Sequence, residues 1–182
     1  MSVVEQVMAD VASFRSCVAE NLPYRPLYVK IKLTWQCNLQ CVMCNLPRRS
    51  RENVLTTPLL EVLAEELAEL GCRKIHLTGG EITLRPDLPR LIKTFAAKGM
   101  RVNLTTNGTL LTRELAKRLV DSGVRSVSIS LDSPEPKAHD RIRGKGMWKR
   151  AVKGVENLRR AVERLGARTH IRINTVITRE NY

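Results

Sequence analysis

Aromatic residues and long apolar runs are both scarce in this chain of 182 residues. Only 4% of the residues are Phe, Trp or Tyr, so the core of a domain of this size must be mainly aliphatic. No apolar stretch approaches the ~20 residues that a membrane-spanning helix needs. The N-terminus also lacks the basic leader and apolar run of a secretory signal. These absences predict a cytoplasmic protein with no membrane partner.

Acidic residues are outnumbered by basic ones, 18 against 31, which gives a formal net charge of +13. A polyanionic partner such as RNA is one interpretation of this charge. A basic solvated surface, or the basic part of a larger protein, is the other. The Lys and Arg residues are spread along the chain, and the basic stretches carry no aromatic residues for base stacking. The pattern favours the solvated surface over a nucleic-acid partner.

The apolar periodicity predicts five strands that alternate with helices. Predicted strands cover 28–33, 74–77, 101–104, 126–131 and 169–177. Predicted helices cover 2–20, 57–70 with Thr57 as N-cap, 87–98, 112–123 with Thr112 as N-cap, and 148–165. The segment between strand four and residue 148 reads as a polar loop. Such alternation implies parallel strands with right-handed crossovers, in a doubly wound sheet or a barrel.

The pattern also predicts how the chain is divided. Residues 1–26 form an N-terminal helical extension, and residues 27–182 form a core domain that is incomplete at its C-terminal end. The last strand would lack its following helix, which indicates a piece of a longer protein.

Cysteines are few, but three of the five lie within eight residues: Cys37, Cys41 and Cys44. A cluster of this kind is more typical of metal or redox chemistry than of disulfides. Zinc usually takes four ligands, and Cys17, Cys72 and His76 are all distant in the sequence. Three thiolates can instead hold a polynuclear iron–sulfur centre with one iron left open. Cys17 and Cys72 are interpreted as small buried apolar residues.

The spacing Cys-x-x-x-Cys-x-x-Cys after a first strand resembles the signature of the radical S-adenosylmethionine (SAM) superfamily. Four further segments and one residue resemble motifs of that family over residues 28–178: Thr78–Glu81, Thr105–Gly108, Ser128–Asp132, His139–Gly144 and Asn174. Each follows or ends a predicted strand, or lies in the loop beyond it, and that edge is the catalytic face of parallel barrels. The resemblance implies an α/β fold, a partial (β/α)6 TIM-like barrel with about five βα units. It also implies a [4Fe–4S] cluster on Cys37, Cys41 and Cys44, with SAM chelating the open iron.

The resemblance implies roles for the residues around SAM. Gly79 and Gly80 would cradle its methionine amino group with the negative charge of Glu81 nearby, although a glycine pair alone is equally typical of a turn. Thr106 and Asn107 would face the substrate cavity, although Asn-Gly is itself a common turn pair.

The remaining assignments each have an alternative. Ser130 would contact SAM, while Asp132 would bind it or cap the next loop. Arg143 would grip the SAM carboxylate in a bidentate manner or lie in an exposed basic loop. Asn174 would contact ribose or methionine, or be a satisfied amide at a strand end. Met43 stands where the family usually has an aromatic residue near the adenine, and it could equally be core.

In the family, a one-electron reductant such as flavodoxin or ferredoxin reduces the cluster. SAM is then cleaved to methionine and a 5′-deoxyadenosyl radical that takes hydrogen from the substrate. No general acid or base is required, so we name no catalytic residue. The branch resembled includes SPASM/twitch-type maturases and the molybdenum-cofactor pterin synthase, which suggests a peptide or a cofactor precursor as substrate. The pterin synthase carries an arginine before its Gly-Gly-Glu motif where this chain has His76, which argues against that member of the branch. The alternatives are an iron–sulfur electron-transfer protein, an RNA-modifying radical SAM protein, and an inactive fragment.

Overall fold

A computed structural model describes residues 3–45, 55–179 and 181–182 of the chain. The basic run at 47–51 lies outside the described residues. The strands are β1 Tyr28–Lys32, β2 Lys74–Thr78, β3 Arg101–Thr106, β4 Ser126–Ser130 and β5 His170–Asn174. The helices are α1 Val3–Ala9, α2 Val11–Ala19, α3 Thr57–Glu69, α4 Leu88–Ala97, α5 Arg113–Asp121, α6 Pro136–Arg143 and α7 Met147–Leu165. None of the helices described is both long enough and apolar enough to span a bilayer.

The five strands form one parallel sheet in chain order, from β1 to β5. This confirms the predicted strand–helix alternation. One row of aligned apolar residues crosses all five strands: Ile31, Leu77, Leu104, Val127 and Ile171. Alternate residues of a strand point to opposite faces, so this row marks one face of the sheet.

Helices α3, α4, α5 and α7 all contribute to a single core with that apolar face. Leu60, Ile92, Leu119 and Leu158, one from each helix, are fully buried in it. A doubly wound sheet would have helices on both faces. Here the helices lie on one face and the strands follow the order of the chain. The sheet is therefore barrel-like and not doubly wound, a choice that the periodicity of the sequence left open. The opposite face carries mainly polar and basic side chains.

The start of α3 differs from the prediction by one residue. Thr56, and not Thr57, is the N-cap, because the Thr56 side chain accepts the N–H of Leu59 at 3.4 Å. The Thr57 hydroxyl donates instead to Asp87 at 2.6 Å. The prediction of Thr112 as the N-cap of α5 is confirmed, since its side chain accepts the N–H of Leu115 at 3.1 Å.

The N-terminal helix predicted over 2–20 is wrong as one continuous element. Asp10 interrupts it, and no hydrogen bond from its side chain caps α2. The Asp10 carboxylate instead accepts the hydroxyl of Tyr24 at 2.8 Å and pairs with Arg25 at 3.2 Å. Helix α2 buries none of its residues. The division of the chain near residue 26 stays a prediction.

Two predictions after β4 also need correction. The predicted polar loop contains the helix α6, which buries His139 and Ile142. Strand β5 ends at Asn174, whereas the prediction extended it to residue 177. Beyond Asn174 the chain turns toward the end of β4, because the Thr175 hydroxyl donates to the Leu131 carbonyl at 2.8 Å.

Candidate cluster and cofactor site

A cavity of about 360 Å³ lies at the carboxyl ends of β2, β3 and β4, beside the loop that follows β1. Ten of the thirteen predicted site residues line it: Cys37, Cys41, Met43, Cys44, Gly79, Gly80, Thr106, Asn107, Ser130 and Arg143. Leu39, Asn45, Thr78 and Thr105 complete the lining. Residues from five separate segments of the chain therefore meet at one edge of the sheet.

The three thiols of the loop after β1 are partly buried in this cavity. Burial raises the pKa of the Cys37 and Cys41 thiols above the usual value. The nearby Cys44 raises both pKa values further, while the Arg143 charge counteracts the rise at Cys41. Among the described residues, no three Cys, His, Asp or Glu side chains converge on one metal-ion position. Three thiols around a shared cavity fit a polynuclear centre better than a single zinc ion.

Gly79 and Gly80 let the chain after β1 pass directly over the end of β2. A Cβ atom at Gly79 would lie 2.4 Å from the Thr34 carbonyl oxygen, and one at Gly80 would lie 2.1 Å from that of Gln36. The contact is closed by the Gly80 N–H, which donates to the Thr34 carbonyl at 2.7 Å. Only glycine permits this approach, which fixes the backbone immediately before Cys37.

Glu81 is fully buried and does not line the cavity. Its carboxylate accepts the Thr83 N–H at 3.0 Å and the Thr83 hydroxyl at 2.6 Å. It also accepts the Thr106 hydroxyl and the Asn107 N–H, both at 2.6 Å. Four donors from the chain itself occupy the carboxylate, so its place is beneath the site, where it joins the loops after β2 and β3.

Asn38 is a site residue that the sequence reasoning missed. The side chain of Asn107 donates from Nδ2 to Oδ1 of Asn38 at 2.8 Å, and Asn38 Nδ2 donates to the Thr109 hydroxyl at 3.0 Å. These bonds attach the cysteine loop to the loop after β3. Its position next to Cys37 was the available signal, but Asn38 gives no pattern by itself.

Arg143 projects from the end of α6 into the cavity. It forms a bidentate pair with Asp132, in which Nε lies 2.5 Å from Oδ2 and Nη2 lies 3.2 Å from Oδ1. The remaining Nη1 lies 4.0 Å from Cys41 Sγ. The bidentate partner in this structure is therefore a carboxylate of the chain, and the predicted grip on the SAM carboxylate stays a prediction.

Asp132 is almost completely buried and does not line the cavity. Its backbone N–H donates to Nδ1 of the fully buried His139 at 3.1 Å. Burial, reinforced by the Arg143 charge, lowers the pKa of His139, which keeps the imidazole neutral at pH 7. His139 is a second residue that sequence reasoning missed as a support of the site.

Asn174 ends β5 opposite Ser130, but its side chain is exposed and does not line the cavity.

The two cysteines outside the loop differ from each other in burial. Cys72 is 2% exposed and belongs to the core, as predicted. Cys17 is only partly buried, on α2.

Comparison with known proteins decides the family. The model of the radical SAM superfamily matches residues 31–180. The chain belongs to the radical SAM superfamily. The family prediction is confirmed, and with it the cofactors, since members of this superfamily are enzymes that use a [4Fe–4S] cluster and SAM.

Two curated relatives of this radical SAM chain carry the names of different enzymes. It is 36% identical over 155 residues to a probable GTP 3′,8-cyclase of Sulfolobus acidocaldarius, across 84% of this chain and 48% of the relative. It is 34% identical over 157 residues to the mycofactocin maturase of Mycolicibacterium smegmatis, across 86% of this chain and 39% of the relative. The chain thus spans about half the length of these relatives, or less.

The fold of the radical SAM chain matches that of Streptococcus suis SuiB bound to S-adenosylmethionine. The TM-score is 0.77 at 22% identity, and the match covers 97% of this chain and 40% of SuiB. Together with the sequential parallel sheet, this likeness confirms the predicted partial TIM-like barrel.

Proposed function

We propose that Cys37, Cys41 and Cys44 hold the [4Fe–4S] cluster of this radical SAM chain, with one iron left for SAM. The observation that carries the proposal is that the three thiols share one cavity with the Gly79-Gly80 main chain, at the carboxyl edge of a parallel sheet. When bound, the cluster supplies the electron that splits SAM into methionine and a 5′-deoxyadenosyl radical, which takes hydrogen from the substrate.

The residues of the chain bind and orient in this proposal, and none transfers a proton. The main chain at Gly79 and Gly80 offers polar groups to the methionine end of SAM. Ser130, at the edge of the same cavity, offers a hydroxyl. Met43 places a polarizable thioether at the cavity wall, suited to contact the adenine ring.

The substrate we propose is a peptide or a cofactor precursor, in keeping with relatives named a maturase and a GTP cyclase. The electron donor we propose is a flavodoxin or ferredoxin. Because the chain spans half or less of its relatives, the activity of the whole protein belongs to the proposal.

The test is anaerobic reconstitution with iron and sulfide, followed by SAM and dithionite, with 5′-deoxyadenosine quantified by chromatography. Cys41→Ala should lose both the cluster absorbance and the product. Cys17→Ala is the matched control, since Cys17 lies on α2 away from the cavity, and it should retain both. Equal product from Cys41→Ala would refute the ligand assignment.

A second readout separates this proposal from an electron-transfer protein. SAM is added to the oxidised, cluster-loaded protein, which is then partly reduced. Its electron paramagnetic resonance spectrum should differ from that of the protein reduced without SAM. A cluster that forms but neither responds to SAM nor yields 5′-deoxyadenosine would favour the electron carrier.

A further inference from the structure

The face of the sheet turned away from the helices is basic. Its strand positions alternate with the apolar row. They hold five Lys or Arg residues and two histidines: Lys30, Lys32, Lys74, His76, Arg101, His170 and Arg172. Within the described strands, no Asp or Glu occupies this face. A solvated surface of this chain normally mixes both signs, as α7 does with the pair Lys153–Glu156. The strand positions on the face turned away from the helices carry only the positive sign.

A second cavity, of about 290 Å³, lies on this face at the amino ends of β2 to β5. Lys74, Arg101, Arg125, His170 and Arg172 line it, and no carboxylate does. In the part of the chain that the structure describes, Lys74, Arg125 and Arg172 have no carboxylate partner. Arg125 donates from Nη1 to the Arg168 carbonyl at 2.9 Å, and Lys74 lies over the Tyr28 ring at 4.9 Å. Both contacts leave the positive charge uncompensated.

Ser126 gives an independent indication of a ligand. This residue lines the second cavity and is only 3% exposed, yet its Oγ has no hydrogen-bond partner among the described residues. A buried hydroxyl without a partner is costly unless a ligand satisfies it. The hydroxyl can donate to an anionic oxygen held by the surrounding cations. In addition, burial and the charges of Lys30, Lys74 and Arg172 lower the pKa of His76 on the same face, as expected for a strongly positive environment.

The second cavity and the candidate SAM cavity lie on the same side of the sheet. Thr78, Thr105 and Ser130 line the SAM cavity, and Lys74, Arg101 and Ser126 are the residues four positions earlier in the same strands. Residues four apart on one strand point to the same face and lie about 13 Å apart. A molecule that contacts both cavities must therefore extend about 13 Å along the strands, past the side chain of His76, which hydrogen-bonds the Thr105 hydroxyl at 2.8 Å.

We propose that the cavity around Lys74, Ser126 and Arg172 binds the anionic group, a phosphate or a carboxylate, of the substrate on which the radical acts. The anionic group lies at the amino ends of the strands, and the carbon that loses hydrogen lies about 13 Å away, at the SAM cavity. This inference rests on the proposed radical SAM function, because it places the substrate by reference to the same site.

The experiment measures anion binding directly. Tripolyphosphate and tricarballylate, a phosphate and a carboxylate probe, are titrated calorimetrically at low ionic strength into the cluster-loaded chain and three variants. Arg172→Gln and Ser126→Ala alter the cavity. Arg118→Gln removes the same charge from the exposed face of α5 and controls for net charge.

We expect at least one probe to bind the unaltered chain. Arg172→Gln should weaken that binding about tenfold or more, the loss typical of a charged hydrogen bond. Arg118→Gln should change it less than twofold. Ser126→Ala should weaken it severalfold without lowering the melting temperature, because the hydroxyl has no partner in the free protein. The probe that binds more tightly tells a phosphate group from a carboxylate.

Two results would overturn the proposal. One is that neither probe binds. The other is that Arg118→Gln weakens binding as much as Arg172→Gln, which would mean a diffuse charge effect. The SAM-cleavage assay is run on the same preparation of the unaltered chain. A chain that cleaves SAM but shows no localised anion binding refutes this inference alone. One that binds anions at the cavity but yields no 5′-deoxyadenosine refutes the proposed function and, with it, the assignment of the anion to the radical's substrate, while the anion site itself stands.

Discussion

The carboxylate of Glu81 accepts the backbone N–H of Asn107 at 2.6 Å, across 26 residues of sequence. The bond joins the loop after β2 to the loop after β3, and the hydroxyl of Thr106 adds a second link at 2.6 Å. Glu81 also holds its own loop, through the N–H and hydroxyl of Thr83. One fully buried side chain thus sets the relative positions of two walls of the cavity.

We expect Glu81→Gln to destabilise the protein and to weaken SAM binding. The amide would turn two N–H donors toward groups that themselves donate, so buried donors would lose their acceptor, at a cost of about 1–3 kcal/mol. Urea unfolding and SAM titration measure the two effects. Glu114→Gln, on the exposed face of α5, should lower stability by less than about 1 kcal/mol, the usual contribution of a carboxylate in the first turn of a helix, and should leave SAM binding unchanged. Normal stability in Glu81→Gln would show that the four hydrogen bonds do not hold the loops.

Arg143 and Asp132 should shift the reduction potential of the cluster in opposite directions. Cluster potentials depend on nearby charge and on hydrogen bonds to sulfur, and Arg143 Nη1 lies 4.0 Å from Cys41 Sγ. Arg143→Gln removes a positive charge and should lower the potential, whereas Asp132→Asn removes a negative charge and should raise it. Redox titration followed by electron paramagnetic resonance measures both.

Lys137→Gln is the control for this pair, since Lys137 lies exposed in the first turn of α6 and should leave the potential unchanged. Arg143→Gln and Asp132→Asn are each also expected to lose about 3–5 kcal/mol of stability, because each leaves the charge of a buried partner uncompensated. Shifts of the same sign in both would indicate a general disturbance of the site and contradict the electrostatic account.

Gly80→Ala should prevent normal cluster loading. The added methyl group would lie 2.1 Å from the Gln36 carbonyl oxygen and 2.6 Å from its carbon, so the segment before Cys37 must move away. We expect a loss of more than about 2 kcal/mol and a fall in bound iron, measured by urea unfolding and iron analysis. Gly99→Ala has a positive φ of 81° but meets no atom within 4 Å. It should cost only about 1 kcal/mol and load iron normally.

Asp87 should account for part of the loss of stability in acid. Hydrogen bonds from Arg85 lower the pKa of this carboxyl from 3.8 to about 2. A lowered pKa stabilises the folded protein above the unfolded value, and this contribution is lost as the pH falls from about 4 to about 2. The difference corresponds to about 2 kcal/mol.

Urea unfolding at a series of pH values tests this assignment. In Asp87→Asn the free energy of unfolding should fall less steeply between about pH 5 and about pH 2 than in the unaltered protein. Asp121→Asn removes an exposed carboxylate that pairs with Lys117 and should leave the slope unchanged. An unaltered slope in Asp87→Asn would refute the assignment.

Local sequence patterns predicted the alternation of parallel strands and helices, and the resemblance to the radical SAM family pointed to the residues of the cavity. Period-two alternation marked β1 to β5, and glycines and polar residues marked the strand ends. The helix α6 was missed although Pro136 stands in its first turn and Gly144 follows its last residue, the usual start and stop signals. Its charged composition made it read as a loop.

Side-chain partners were harder to predict than positions. The pairing of Arg143 with Asp132 depends on α6 folding back toward β4, which no local pattern announces. The burial of Glu81 depends in the same way on two loops that are distant in sequence. Likewise, the one-sided helix layer follows from how successive units pack, and the alternation of strands and helices is common to both arrangements that the sequence left open.

The two faces of the sheet divide the demands on this chain. The apolar row from Ile31 to Ile171 packs against the helices, so substitutions there reduce stability first. On the other face, Lys30 and Arg172 are exposed, whereas Asn103, Ser126 and Ser128 are buried. Mutations of the exposed basic residues can therefore accumulate at little thermodynamic cost. Such a sheet lets selection exchange one substrate for another while the scaffold beneath, and the radical chemistry at its edge, are retained.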